Sequence, residues 1–117
     1  MSNSNEKQAD QENEVTTVAM QIILHAGNAR ALADEAFQLA KEENFKAAYE
    51  KINEANSNGI LKAHQSQTQI IQDEARGVTH EPSLLLNHAQ DHLMTIMSEV
   101  RMTKQMIELY ELTVNRK

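Results

Sequence analysis

Residues 84–114, LLLNHAQDHLMTIMSEVRMTKQMIELYELTV, decide how this chain folds. Leu86, Leu93, Val100, Ile107 and Val114 recur every seven residues, with Ala89, Ile96, Thr103 and Tyr110 between them, the a/d spacing of helix-on-helix packing. Counted at about 100° per residue from Leu86, Leu84, Met102, Met106 and Leu109 lie roughly 140–200° away, on the opposite side. A single small bundle buries only one of these faces. A helix apolar on opposite faces belongs inside a larger assembly, so the pattern predicts a homo-oligomer with this helix near the symmetry axis. The competing reading leaves Met102 and Met106 exposed or covered by the N-terminal segment.

Toward the N-terminus the clearest break is Arg76-Gly77-Val78-Thr79-His80-Glu81-Pro82, where Gly77 suits a helix C-terminus and Pro82 the first turn of the next helix. The last helix is thus expected to begin between Thr79 and Ser83. Before the break, Phe45, Ala48, Ile52, Ala55, Gly59, Ala63, Ser66 and Ile70 form one stripe, with Asn44 as its N-cap. Asn56-Ser57-Asn58-Gly59 has the composition of a turn, but the stripe keeps its phase across Gly59, which favours one continuous helix. Earlier still, Val18, Ile22, Ala26, Ala29, Ala33, Phe37 and Ala40 give an amphipathic helix from Val15 to Lys41. Gly27 and Asn28 interrupt it, as expected where a neighbouring helix approaches closely. Residues 1–14, MSNSNEKQADQENE, offer almost nothing to bury and read as a disordered tail. The expectation is all-α: an antiparallel three-helix bundle over about 15–41, 44–75 and 81–114, with 15–117 as a single domain.

Composition narrows the function classes. A net charge of -6 and the lack of a basic stripe argue against nonspecific nucleic-acid binding. The absence of cysteine removes disulfides, thiolate metal sites and a cysteine nucleophile. No apolar run approaches the roughly 20 residues of a membrane span, and the N-terminus lacks the basic and apolar regions of an export signal. A cytoplasmic protein without membrane insertion is expected. With only three glycines and no glycine-rich phosphate loop, nucleotide chemistry has no support.

The chemistry concentrates in His88-Ala89-Gln90-Asp91-His92-Leu93-Met94. His88, Asp91 and His92 stand at i, i+3 and i+4, so one helix face carries two imidazoles and a carboxylate. Asp91 falls in the second apolar stripe, with His88 and His92 toward its edge. A carboxylate in an apolar oligomer seam is costly unless it is paired, protonated or bound to a cation, and symmetry would bring its copies together. Asp91 therefore reads as a registry device or a metal ligand. The two histidines alone also suit a transition-metal pair or half-buried interface residues. His25, His64 and His80 carry weaker signals, as helix-surface, interface and loop positions.

Residues 84–95, LLLNHAQDHLMT, together with AHQSQT at 63–68, IQDEA at 71–75 and IILHAGNARA at 22–31, closely resemble the lactose/cellobiose-type enzyme IIA proteins of the bacterial phosphoenolpyruvate-dependent sugar phosphotransferase system. The resemblance spans about Val15 to Leu112. It implies three-helix subunits assembled as a nine-helix homotrimer, with one long middle helix. It implies that His88 is the phosphorylated histidine, taking its phosphoryl group from the phosphocarrier HPr and passing it to a cysteine of the IIB component. The membrane IIC permease would be engaged only indirectly. Asp91 matches the aspartate whose three copies bind one magnesium ion on the trimer axis, and His92 and Gln90 match supporting positions near the site. Ala89, where lactose members tend to have Gly, inclines the reading toward the cellobiose or chitobiose branch. The alternative is a non-enzymatic helical scaffold or regulator that uses the His88 face only for partner binding.

Overall fold

The computed structural model describes residues 2–116, except the side chains of 2–5 and 7–13. Where a disordered 1–14 tail and a helix from Val15 were expected, the backbone helix α1 runs Ser2–Lys41, because the Glu, Gln, Lys and Ala of this polar stretch are good helix formers that continue the packed helix outward; the first buried side chain is Val15. From there Ala19, Ala26, Ala29, Ala33, Ala36 and Ala40 are all buried. With only a methyl group to accommodate at each of these positions, neighbouring helices can approach α1 closely. Ile22 is the large buried side chain on the same face.

After the connection Glu42–Asn44, where Glu43 takes a positive φ of 64°, the middle rod comprises α2 (Phe45–Glu54), a π-helical segment (Ala55–Ile60) and α3 (Leu61–Ala75). Asn44 caps α2, its side chain accepting a hydrogen bond from Ala47 N at 3.4 Å. The rod is continuous, as the stripe predicts, and the turn-like residues Asn56–Gly59 mark the widened π turn rather than a break. Downstream, Ala63 and Ile70 are buried as expected, while the expected Ser66 is only half-buried and Gln67, at i+4 from Ala63, is buried in its place. Ser66 instead donates its hydroxyl to Lys62 O at 3.0 Å.

Gly59 is where two helices come closest. A Cβ at this position would lie 2.5 Å from Ala29 Cβ and 2.8 Å from Ala29 Cα, so only glycine fits against α1. The close approach expected at Gly27 falls two residues later, since nothing stands within 4 Å of a Cβ built on Gly27, which lies off the packed face. Asn28, beside it, donates to Asn58 O at 3.4 Å on the π-helical segment.

The third rod, α4, is Leu84–Asn115. It starts later than expected because Ser83, in an extended conformation, acts as its N-cap and accepts from Leu86 N at 3.1 Å. Pro82 therefore precedes the cap instead of occupying the first turn. Gly77, with φ of 84°, terminates α3 as expected. Leu86, Ala89, Leu93, Ile96, Val100 and Ile107 are buried against the other rods. Beyond Ile107 the seam loosens: Tyr110 is 41% exposed, although its ring still meets Phe45 at 5.9 Å. Nearby, Tyr49 donates to Glu111 at 2.8 Å; burial first, then this carboxylate partner, push its phenol up to about 12. The opposite face of α4 is open in the single chain, with Leu84 87%, Met102 60% and Leu109 67% exposed. Among the described residues no helix is long and apolar enough to cross a membrane.

Thermal melts of two glycine variants check this packing. Gly59→Ala is expected to destabilise the chain by about 1–3 kcal/mol through overpacking against Ala29. Gly27→Ala is expected to stabilise it by up to about 1 kcal/mol, because the helix gains a better former without a clash.

Candidate functional site

The seam fixes how α4 is rotated, and that rotation turns the motif outward. Ala89 and Leu93 are buried, which leaves His88 and Asp91 exposed and His92 and Gln90 half-buried. The rings of His88 and His92 lie nearly parallel, 17° apart in plane with centroids separated by 5.9 Å. At that separation the two imidazoles are neighbours without a direct hydrogen bond. His88 thus presents an exposed ring from a helix fixed by the buried seam.

Asp91 is brought to the same exposed side as Leu84, Met102 and Leu109, so the carboxylate stands within the second apolar stripe, as its spacing predicts. Thr95, one turn on, donates its hydroxyl to Asp91 O at 2.9 Å. Among the described residues no group of three or more His, Cys, Asp or Glu is placed to hold a metal ion. Within one chain, then, His88, Asp91 and His92 share a face without forming a metal cluster.

Below the motif an ion pair ties α4 to α1. Arg30 Nε donates to Glu99 Oε1 at 2.9 Å and Nη2 donates to Oε2 at 2.6 Å, a two-pronged contact between half-buried side chains. The hydrogen bonds from Arg30 hold the Glu99 carboxyl below the usual carboxylate range against the opposing effect of burial, with smaller help from the charge of Arg30 and from His92. The motif histidine and this inter-helix pair therefore share one electrostatic neighbourhood. Spacing alone did not single out Arg30 or Glu99; the available signal is that each adjoins a buried stripe position, Ala29 and Val100.

The three other histidines have different surroundings. His25 is half-buried on α1. His64 Nδ1 stands 3.0 Å from the amide of Gln67, the buried polar side chain of α3. His80, read as a loop residue, has a side chain only 8% exposed and lies 3.1 Å from Asp73.

With this geometry in hand, comparison with known proteins is decisive. The family model for the PTS system, Lactose/Cellobiose specific IIA subunit, matches residues 17–111. This chain belongs to that family. It is a phosphoryl-transfer component of the phosphotransferase system. It is similar to the lichenan-specific phosphotransferase enzyme IIA component of Bacillus subtilis, with 45% identity over 98 residues, covering 84% of this chain and 88% of that protein. The crystal structure of the cellobiose-specific enzyme IIA from Bacillus anthracis superposes with a TM-score of 0.80 at 40% identity, covering 86% of this IIA chain and 92% of that one. The IIA(Chitobiose) chain solved in complex with HPr from Escherichia coli gives a TM-score of 0.74 at 35% identity, covering 85% and 95%.

The Arg30–Glu99 pair gives stability a pH dependence of known sign. A carboxyl held low in the fold contributes stability fully above its ordinary pKa of about 4.3 and loses it as pH falls through the lowered value. Urea unfolding should show Glu99→Gln weaker than wild type by about 0.5–1 kcal/mol at pH 7, the range for a half-exposed pair. The two proteins should converge in stability as pH falls through the lowered value.

Proposed function

We propose that this IIA chain is a cytoplasmic phosphocarrier that accepts a phosphoryl group from phosphorylated HPr on His88 and passes it to a IIB component during uptake of a cellobiose-, chitobiose- or lactose-type sugar. The observation that carries this reading is the exposed His88 imidazole at the head of the HAQDHLM motif, fixed by the buried residues Ala89 and Leu93 beside it. Imidazole near neutral pH offers an unprotonated ring nitrogen, so no separate base is required. In the first transfer that nitrogen bonds to phosphorus while the donor's nitrogen–phosphorus bond breaks. In the second, a IIB cysteine thiolate bonds to phosphorus and the His88 bond breaks, which returns the imidazole to its starting state. The transition state is loose, so alignment and electrostatics govern the rate. His92, whose ring lies nearly parallel to that of His88, and Gln90 support the site without entering the transfer. The sugar itself meets only the membrane component.

The assembly proposed for this chain is a homotrimer. The exposed stripe Leu84, Met102, Met106 and Leu109 supports it, since a large contiguous apolar face on one helix calls for a partner surface. Asp91 lies within that stripe, and one chain supplies one carboxylate there. Three copies on an axis would offer oxygen ligands of the kind a hard cation such as magnesium takes. The ion would offset two of the three negative charges. It has no part in the transfer at His88.

Intact mass spectrometry after incubation with phosphoenolpyruvate, enzyme I and HPr tests the relay: an acid-labile gain of about 80 Da per chain is expected for the phosphoryl group, absent in His88→Ala. No gain in wild type beside phosphorylated HPr overturns it. Sedimentation tests the assembly, with wild type expected at three chain masses. With divalent cations chelated, Asp91→Leu should hold the trimer more tightly, by about 1–4 kcal/mol, because like charges leave an apolar seam; easier dissociation of that variant under the same condition contradicts the axial placement.

A further inference from the structure

The connection from α3 to α4 is exposed at Arg76, Gly77, Val78, Thr79, Glu81 and Pro82, yet His80 in its middle is buried, with its side chain 8% exposed. It is held by a single carboxylate. Asp73 Oδ2 lies 3.1 Å from His80 Nε2, while Oδ1 accepts from Arg76 Nη2 at 2.7 Å and from Gln69 Nε2 at 2.8 Å. The backbone is tied to the same residue, with Val78 N donating to Asp73 O at 2.8 Å. The hydrogen bonds from Arg76 and Gln69 hold the Asp73 carboxyl below its usual range, so it acts as an acceptor and His80 Nε2 must carry the hydrogen. His80 Nδ1 is buried without a partner. This polar cost is tolerated where the imidazole anchors a loop that has no regular structure of its own.

The position of the loop suggests what the anchor is for. His88 lies four residues along α4 from Leu84, about 6 Å up the helix axis. A protein interface of ordinary size covers about 800 Å² per partner, a disc of roughly 16 Å radius. Any protein that centres on His88 therefore also covers the start of α4 and reaches the loop that leads into it. His88 itself does not depend on the loop, because Leu86, Ala89 and Leu93 hold its helix in place.

We propose that Asp73 and His80 form a clamp that fixes the 76–82 loop as part of the docking surface for the protein that delivers the phosphoryl group, with His80 as a positioning residue for docking and not for the transfer chemistry. This rests on His88 being the acceptor. The clamp's signature is a split between binding and chemistry: KM for the phosphorylated donor protein depends on it, and kcat does not.

The test is the rate of phosphorylation of the full chain by phosphorylated HPr at varied HPr concentration, for wild type, His80→Ala and His80→Gln, with circular dichroism confirming equal helix content. His80→Ala is expected to raise KM about fivefold, equivalent to roughly one net hydrogen bond, with kcat and the final phosphoryl content unchanged. His80→Gln, whose amide can donate to Asp73 from the same place, is expected to restore KM. An unchanged KM in His80→Ala, a fall in kcat alone, or a defect that glutamine does not repair overturns the clamp while leaving the relay intact. Wild type that takes up no phosphoryl group overturns the relay, and the docking role with it.

Discussion

The rotation of α4 about its own axis is the constraint on which the rest depends. Leu93, Ile96, Val100 and Ile107 are almost fully buried, and each such side chain is worth about 1.5–3 kcal/mol relative to exposure. Turning the helix by a single residue would replace this seam with charged and polar neighbours such as Arg101 and Glu108. No interaction made by one surface histidine could offset that loss. The direction in which His88 points is therefore set by apolar burial, and the imidazole need not form any contact of its own to stay in place.

The seam in turn relies on how closely the other rods approach. Alanines on α1 keep the distance short, and at Gly59 the middle rod has no Cβ to oppose Ala29. Within the π-helical segment Ala55 and Gly59 are both buried, and beyond it Ala63, Gln67 and Ile70 turn inward. Gln67 enters the interior with a polar partner, His64, which limits the cost of burying its amide. Arg30 and Glu99 add a directional contact across the same interface. It contributes less than the apolar seam, because both side chains remain half-exposed.

Much of this was legible in the sequence because periodicity encodes burial directly. The heptads of α4, the stripe of α1 and the turn chemistry at Asn44 and Gly77 all have local physical causes. The outward placement of His88 and Asp91 followed from the same count. What the pattern did not contain were distances between helices. Gly27 and Gly59 look alike in a sequence, and only the packing shows that one faces open space and the other faces Ala29. The π turn was hidden for a related reason, since its residues carry a turn-like composition inside an unbroken apolar phase. His80 was read as a loop residue, and its burial depends on Asp73, seven positions away on another element. Pro82 misled slightly, because Ser83 supplied a better cap than the first helical turn that Pro82 favours.

The two roles proposed for the exposed side of α4, association and phosphoryl transfer, divide it by angle. Measured from Leu86, Asp91 lies at about 140° and His88 at about 200°, so the imidazole is about 60° from the carboxylate around the helix. Leu109 shares the carboxylate's direction, Leu84 and Met102 lie at about 160°, and Met106 shares the imidazole's, so Asp91 and His88 flank the stripe on opposite edges. In the proposed phosphocarrier the histidine meets two different proteins in turn, so the association surface has to close over the Asp91 edge and leave the His88 edge open, on a helix whose position is fixed. On that proposed reading one helix separates residues for packing, for association and for phosphoryl transfer around its circumference.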